Sequence, residues 1–285
     1  MYEFFPGNYL WSYNVWAVME AGGQVGDFSL IHNKLLDHEG DAEIWSREWS
    51  WLAEKLEQRG REHLSTGTSE SAAEHYFLAS LNHKISEHFI PPEDPKRLKI
   101  YARVLDCFET ARTRSRHRID RVTVPYEGGE LPAYFVPAQT DANRSPTVIF
   151  ICGLDTTKEI TYLRVGQELA MRGVNLLAID TPGVGEALRL GGITTRYDYE
   201  APVGAAIDYL ETRGDVDADR IGIIGSSLGG YYVARAAAFE PRLRAVVAWG
   251  GQWDYHAVWH RRMTVGGASG APGFLLMYIT GEDTM

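Results

Sequence analysis

One serine of this chain lies in a pattern that can turn an ordinary hydroxyl into a nucleophile. Residues 225–229 read Gly-Ser-Ser-Leu-Gly, a G-x-S-x-G motif centred on Ser227. When such a motif follows a strand and opens a helix, the serine sits in a strained backbone conformation with its hydroxyl exposed. The two flanking glycines leave room for the chain to reverse. The motif therefore predicts Ser227 as a nucleophile, and the alternative is a glycine-rich turn that carries an idle serine.

The residues on either side of this motif are of the types that such a turn requires. Residues 221–224 form a short apolar run, which predicts a buried strand, and residues 230–239 predict a helix. The N-terminus of that helix would direct N–H groups and the positive end of its dipole toward a developing negative charge.

The chain from residue 119 onward alternates between apolar strands and helices. Two strands at 121–125 and 131–136 are predicted to form a hairpin that turns at 127–130. The remaining predictions are strands at 147–152, 174–179, 221–224 and 243–249, and helices at 162–172 and 201–213. Continuous apolar strands between helices indicate a mainly parallel sheet that is covered on both faces, so an α/β domain is expected over 119–285.

Residues 1–118 are predicted to be helical. The first helix is expected after Asp41, a candidate N-cap. The second is expected over 69–89, and the third begins near Asp94 and Pro95. Their apolar residues recur at helical spacing and are expected to form a core: Trp45, Trp49, Leu52 and Leu56 in the first helix, Leu78, Leu81 and Ile85 in the second, and Leu98, Tyr101, Leu105 and Phe108 in the third.

Composition narrows the class of protein. The chain has 285 residues, with 45% hydrophobic and 23% charged residues and a net charge of −10, which is typical of a globular protein and argues against nucleic acid as a main partner. No apolar run approaches the roughly 20 residues of a membrane span, and the N-terminus does not have the pattern of a signal peptide. These features predict a cytoplasmic protein.

No spacing of histidines or cysteines indicates a metal site. His256 and His260 could share a helix face, but the sequence offers no clear third ligand beside them.

Several motifs together resemble those of the α/β-hydrolases, and in particular of one subfamily. That subfamily contains 2,6-dihydroxypseudooxynicotine hydrolase, the fermentation–respiration-switch-like esterases and fungal hydrolases encoded in polyketide pathways. The resemblance extends from about residue 20 to the end of the chain. The motifs are 153–159 (GLDTTKE), 180–186 (DTPGVGE), 197–200 (YDYE), 225–231 (GSSLGGY) and, in the helical part, 40–45 (GDAEIW).

The resemblance implies an N-terminal helical cap over 1–118, a hydrolase core over 119–285, and often a homodimer. It implies cleavage of a carbon–carbon bond next to a carbonyl, or of an ester or thioester, in an aromatic or polyketide-type small molecule of secondary metabolism. Ser227 matches the nucleophile, and the backbone N–H groups of Leu154 and Leu228 match the oxyanion hole. No cofactor is implied.

The resemblance supplies no triad histidine for this chain. In this fold the acid and the histidine follow the serine along the sequence, and they usually come after strands seven and eight. We expect the chain to stop before those strands, so that the core is incomplete at its C-terminus. Asp254 follows the sixth strand, where some relatives place the acid. The alternative is that Asp254 is an ordinary turn or lid residue. His256 and His260 are candidates for the catalytic base. A second hypothesis is therefore a catalytically defective hydrolase that binds a ligand or partner.

Overall fold

The computed structural model describes residues 2–264, and these fall into two compact units, 2–118 and 119–264. The first unit is helical and the second is an α/β unit. No helix among the described residues combines the length and apolar character needed to cross a membrane.

Five helices form the described part of the first unit: α1 (Tyr9–Glu20), α2 (Val25–Leu36), α3 (Ala42–Ser65), α4 (Ser69–Ser86) and α5 (Pro95–Arg112). The two predicted caps are present. The Asp41 carboxylate accepts hydrogen bonds from the backbone N–H groups of Glu43 and Ile44, and the Asp94 carboxylate accepts one from Lys96. Each satisfies donors that the first turn of a helix leaves unpaired, and proline at the first position of α5 has no N–H to satisfy.

Aromatic side chains fill the core of the first unit. Trp45 and Trp49 are fully buried, and the Trp45 ring packs 4.6 Å from that of Trp11. The Trp45 indole N–H donates to the Ile85 carbonyl at 2.8 Å, so the polar end of the ring is also satisfied. Leu98, which was expected in this core, is instead 45% exposed because it lies on the outer face of α5.

The described part of the second unit, residues 119–264, contains a six-stranded sheet with the order β1-β2-β4-β3-β5-β6. β1 and β2 are antiparallel, β2 is antiparallel to β4, and β4, β3, β5 and β6 are mutually parallel. This mainly parallel sheet confirms the expected α/β-hydrolase fold. The strands are β1 (Asp120–Tyr126), β2 (Gly129–Val136), β3 (Ser145–Ile151), β4 (Asn175–Ile179), β5 (Val216–Ser226) and β6 (Ala245–Trp249).

The predicted hairpin turn is present between β1 and β2. Glu127 and Gly128 have φ values of 45° and 81°. Positive φ at both central residues is the mark of a type I′ turn, whose twist matches that of the strands it joins.

Within residues 119–264, six helices accompany the sheet, and a π-helical turn joins two of them. They are α6 (Lys158–Thr161), α7 (Gln167–Met171), α8 (Gly185–Arg189), α9 (Glu200–Glu211), α10 (Leu228–Phe239) and α11 (Tyr255–Thr264). The π-helical turn Tyr162–Gly166 joins α6 to α7. The helix predicted at 162–172 therefore begins at Lys158 and is not regular throughout.

β6 is the last strand of the sheet within residues 2–264, and all five of its residues are exposed there. The expectation that the chain stops before further strands concerns residues after Thr264, which lie outside the described part.

Candidate active site

Ser227 occupies the turn between β5 and α10. Its φ of 56° and ψ of −119° lie where an L-residue is rarely found, and among the described non-glycine residues only Glu127 also has positive φ. Its side chain is exposed, while Ser226 and Leu228 on either side are buried. The Ser227 N–H donates to the Trp249 carbonyl at 2.8 Å, which fastens the turn to the end of β6. The predicted strand–turn–helix is thus present, with the serine in a strained conformation.

Glycines allow the backbones around this turn to approach closely. A Cβ atom on Gly225 would lie 2.1 Å from the Gly229 carbonyl oxygen, and one on Gly229 would lie 2.4 Å from that of Ile151. Both distances are far below van der Waals contact, so neither position has room for a side chain. The two glycines of the motif are therefore required by packing between β5, α10 and the end of β3.

Two backbone segments meet at Ser227, and they carry the two predicted oxyanion donors. Leu228 is the first residue of α10, where the N–H groups have no partner within the helix. The other segment follows β3, which lies beside β5 with Ile151 opposite Gly225. A Cβ on Gly153 would lie 3.2 Å from the Ser227 Cβ and 3.8 Å from its Oγ. Leu154, the next residue, therefore belongs to a segment that passes close to the serine.

Candidate acid and base residues lie around α11. Asp254 is exposed and precedes the helix, and its carboxylate accepts a hydrogen bond from the Ala257 N–H at 2.9 Å. His256 and His260 are exposed on α11, with ring centroids 6.1 Å apart. Within residues 2–264, no hydrogen bond joins the Ser227 hydroxyl to another side chain. The described residues therefore do not show a charge-relay partner for Ser227.

A buried lysine, Lys158, directly follows the segment that carries Leu154 and was not singled out from the sequence. Lys158 is fully buried, and its Nζ lies 2.8 Å from Glu159 Oε1, 2.9 Å from Asp180 Oδ2 and 2.9 Å from Glu186 Oε2. Burial opposes ionisation of Glu159, but the charge of Lys158 holds the pKa of that carboxyl below its usual value. We call these four residues, Lys158, Glu159, Asp180 and Glu186, the Lys158 cluster. Because a buried charge is costly unless it is paired, loss of one member would leave the others with unpaired charge.

The same cluster also binds backbone groups. The Asp180 carboxylate accepts hydrogen bonds from the N–H groups of Lys158 and Glu186, both at 2.8 Å. A Cβ on Gly185 would lie 2.1 Å from the Asp180 carboxyl group, so the chain folds tightly around that carboxylate. Asp180 follows β4 directly, and it joins the segment after β3 to the segment after β4. These residues belong to the motifs 153–159 and 180–186. Charged residues that directly follow predicted parallel strands were the signal by which the sequence could have revealed them.

Cys152 is the other potential nucleophile near this site. It follows β3, is buried, and its Sγ lies 3.1 Å from the Thr161 hydroxyl. Burial raises the pKa of this thiol to about 12. Because the thiolate is the reactive form, Cys152 is not suited to nucleophilic catalysis at neutral pH.

One group of described residues, in the first unit, has the donor types of a metal site: Glu57, His83 and Cys107. His83 Nε2 lies 2.7 Å from Glu57 Oε1, and Arg61 and Arg103 both pair with the other oxygen of that carboxylate. Burial raises the pKa of Cys107, so its thiol stays protonated. Two guanidinium groups would repel a dication, and the arrangement fits a buried polar network better than a metal centre.

Comparison with known proteins identifies the family. The model of the FrsA-like esterases matches residues 28–260. The chain belongs to the FrsA-like esterase family. It is 31% identical over 244 residues to the α/β hydrolase ucsC of Acremonium sp, which covers 78% of this chain and 49% of that protein. It is 30% identical over 292 residues to the hydrolase acrC of Aspergillus aculeatus, covering 92% of this chain and 66% of that protein.

A solved structure supports the same assignment. The crystal structure of 2,6-dihydroxy-pseudo-oxynicotine hydrolase superposes with a TM-score of 0.76 at 26% sequence identity, covering 94% of this chain and 72% of that one. The resemblance expected from the motifs is thereby confirmed. This FrsA-like chain spans about half to two thirds of the length of the two fungal relatives.

Proposed function

We propose that this FrsA-like chain is a serine hydrolase whose nucleophile is Ser227. The observation that carries the proposal is the backbone of Ser227, strained at positive φ between β5 and α10 with its side chain exposed. Strain of this kind persists only where the surrounding structure enforces it, and it clusters at functional sites. The close approach of the segment that carries Leu154 adds a second group of backbone donors.

The chemistry would proceed through an acyl-enzyme. The Ser227 Oγ attacks a carbonyl carbon and gives up its proton, and the N–H groups of Leu154 and Leu228 bind the resulting oxyanion. The C–O, C–S or C–C bond to the leaving group then breaks, and a proton completes the departing fragment. Water hydrolyses the acyl-enzyme. Removal of one oxyanion donor typically costs about 10²–10³ in kcat.

The substrate class follows from the relatives and is part of the proposal. We expect a small aromatic or polyketide-type molecule of secondary metabolism, cleaved at an ester, a thioester or a carbon–carbon bond next to a carbonyl. This rests on the resemblance to fungal hydrolases and to 2,6-dihydroxy-pseudo-oxynicotine hydrolase. A fold alone does not fix a substrate.

Labelling with a fluorophosphonate probe tests the nucleophile. The unaltered chain should be modified at Ser227, as located by mass spectrometry, and Ser227→Ala should not be modified. Ser226→Ala is the matched control, because Ser226 is the adjacent serine but is buried at the end of β5; this variant should still be labelled. A folded chain that takes up no probe would overturn the proposal and favour the ligand-binding alternative.

A further inference from the structure

The segment that carries Leu154 is irregular, so other contacts must fix its orientation. Residues 152–157 lie between β3 and α6 and belong to no helix or strand. A backbone N–H can serve an oxyanion only if it is held in place before the reaction. The direction of the Leu154 N–H depends on the peptide that joins it to Gly153, and hence on how the residues on either side are fixed.

Gly153, on one side of Leu154, is fixed by packing. A Cβ at this position would lie 3.0 Å from the Ser226 carbonyl oxygen, which shows how closely the two backbones approach. Farther along, the segment ends at Lys158, whose N–H and Nζ are both bound by the Asp180 carboxylate. The segment therefore starts and ends at points fixed to β5 and to the end of β4.

Asp155, on the other side of Leu154, is held by an ion pair. Arg189 Nη2 donates to Asp155 Oδ1 at 3.2 Å, and the two side chains are only 5% and 11% exposed. Arg189 is the last residue of α8, and α8 begins at Gly185, where the chain folds tightly around the Asp180 carboxylate. The arginine therefore extends from an element that the Lys158 cluster already fixes.

We propose that the Asp155–Arg189 ion pair positions the Leu154 N–H and thereby sets the reactivity of Ser227. Asp155 and Arg189 are positioning residues, and the Lys158 cluster is the anchor from which they act. This inference rests on the proposed function, because it assigns the pair to the oxyanion hole of that site. The pair works through the backbone and does not contact the substrate.

Arg189→Met tests the inference, since it removes the charge and keeps an unbranched side chain. The labelling rate of Ser227 by the fluorophosphonate probe should fall about 10–100-fold, because a displacement of about 1 Å can cost about 10² in rate. With a p-nitrophenyl ester, kcat should fall by the same factor while KM stays within about twofold, since the lost interaction is made only in the transition state. Arg189→Lys should recover part of the rate.

A second ion pair of the same unit supplies the control. Arg235 on α10 makes two hydrogen bonds to the Glu200 carboxylate on α9, at 2.9 and 3.0 Å. Arg235→Met should leave the labelling rate within about twofold of the unaltered chain. Because loss of one partner of a buried pair can destabilise the fold, Asp155→Asn, which keeps the size of the side chain, is a second variant with the same expected loss of rate.

Hydrogen–deuterium exchange measures the positioning without any reaction. Peptides covering 153–157 should exchange faster in Arg189→Met than in the unaltered chain, and peptides from β5 should not. Unchanged exchange and an unchanged labelling rate in a folded Arg189→Met variant would overturn the inference. If the unaltered chain is not labelled at all, the proposed function fails and the oxyanion role fails with it, whereas the exchange result still decides whether the pair fixes the segment.

Discussion

Replacing Ser227 by glycine is expected to remove the nucleophile and stabilise the second unit. Ser227 has a φ of 56°, a conformation that glycine adopts without steric cost and an L-residue does not. Alanine at the same position removes the hydroxyl but keeps the Cβ, and with it the strain. Both variants lack the hydroxyl, so the difference in stability between Ser227→Gly and Ser227→Ala measures the effects on the backbone alone.

The expected difference can be worked from two opposing effects. A residue held in a sparsely populated backbone region costs about 1–3 kcal/mol. Glycine relieves this cost but loses about 0.5–1 kcal/mol because it has more freedom in the unfolded chain. Taken at the middle of each range, about 2 kcal/mol against about 0.75 kcal/mol, the two effects leave a free energy of unfolding about 1 kcal/mol larger for Ser227→Gly than for Ser227→Ala.

Urea unfolding monitored by hydrogen exchange of peptides from β3 and β5 would measure this difference within the second unit. Ser226 provides the control, since it lies in β5 and does not have positive φ. There the order should reverse, with Ser226→Gly less stable than Ser226→Ala by about 0.5–1 kcal/mol. If Ser227→Gly unfolds at the same urea concentration as Ser227→Ala or a lower one, the serine is not strained and the reasoning is refuted.

Two further predictions concern packing and charge. Gly225→Ala should lower the free energy of unfolding of the second unit by about 1–3 kcal/mol or more, because the new Cβ would meet the Gly229 carbonyl. Gly214→Ala is the control: a Cβ there would lie in open space, so the urea midpoint should change little. In the first unit, burial alone would raise the pKa of Glu57, but the hydrogen bond from His83 and nearby positive charge lower it to about 2. Since this is below the ordinary 4.5, the stabilisation is complete above about pH 4.5 and is lost as the pH falls toward 2. Glu57→Gln should flatten the dependence of Tm on pH across that window, and an unchanged slope would contradict this assignment.

The sequence was sufficient to predict those turns and helix starts whose geometry depends on neighbouring residues. The hairpin between β1 and β2 depends on Gly128 and its neighbour, and the starts of α3 and α5 depend on Asp41 and Asp94. The turn at Ser227 depends on glycines that are close in sequence. In each case the residues that determine the geometry lie within a few positions of it.

The polar interior of the second unit could not be predicted in this way. A Lys-Glu pair such as Lys158 and Glu159 is ordinarily exposed, and its burial here depends on Asp180, which follows another strand. The π-helical turn Tyr162–Gly166 was also missed, because a single wider turn leaves little trace in the spacing of apolar residues. The burial of Lys158 therefore depends on contacts with residues distant in sequence, Asp180 and Glu186.

The two cysteines make the opening of each unit separately observable. Cys107 lies in the first unit and Cys152 in the second, both are buried, and burial raises the pKa of both thiols. An alkylating reagent reacts with thiolate, so each cysteine becomes reactive only when its own surroundings open. A pulse of such a reagent followed by peptide mass spectrometry would thus give two independent opening rates from one unmodified polypeptide.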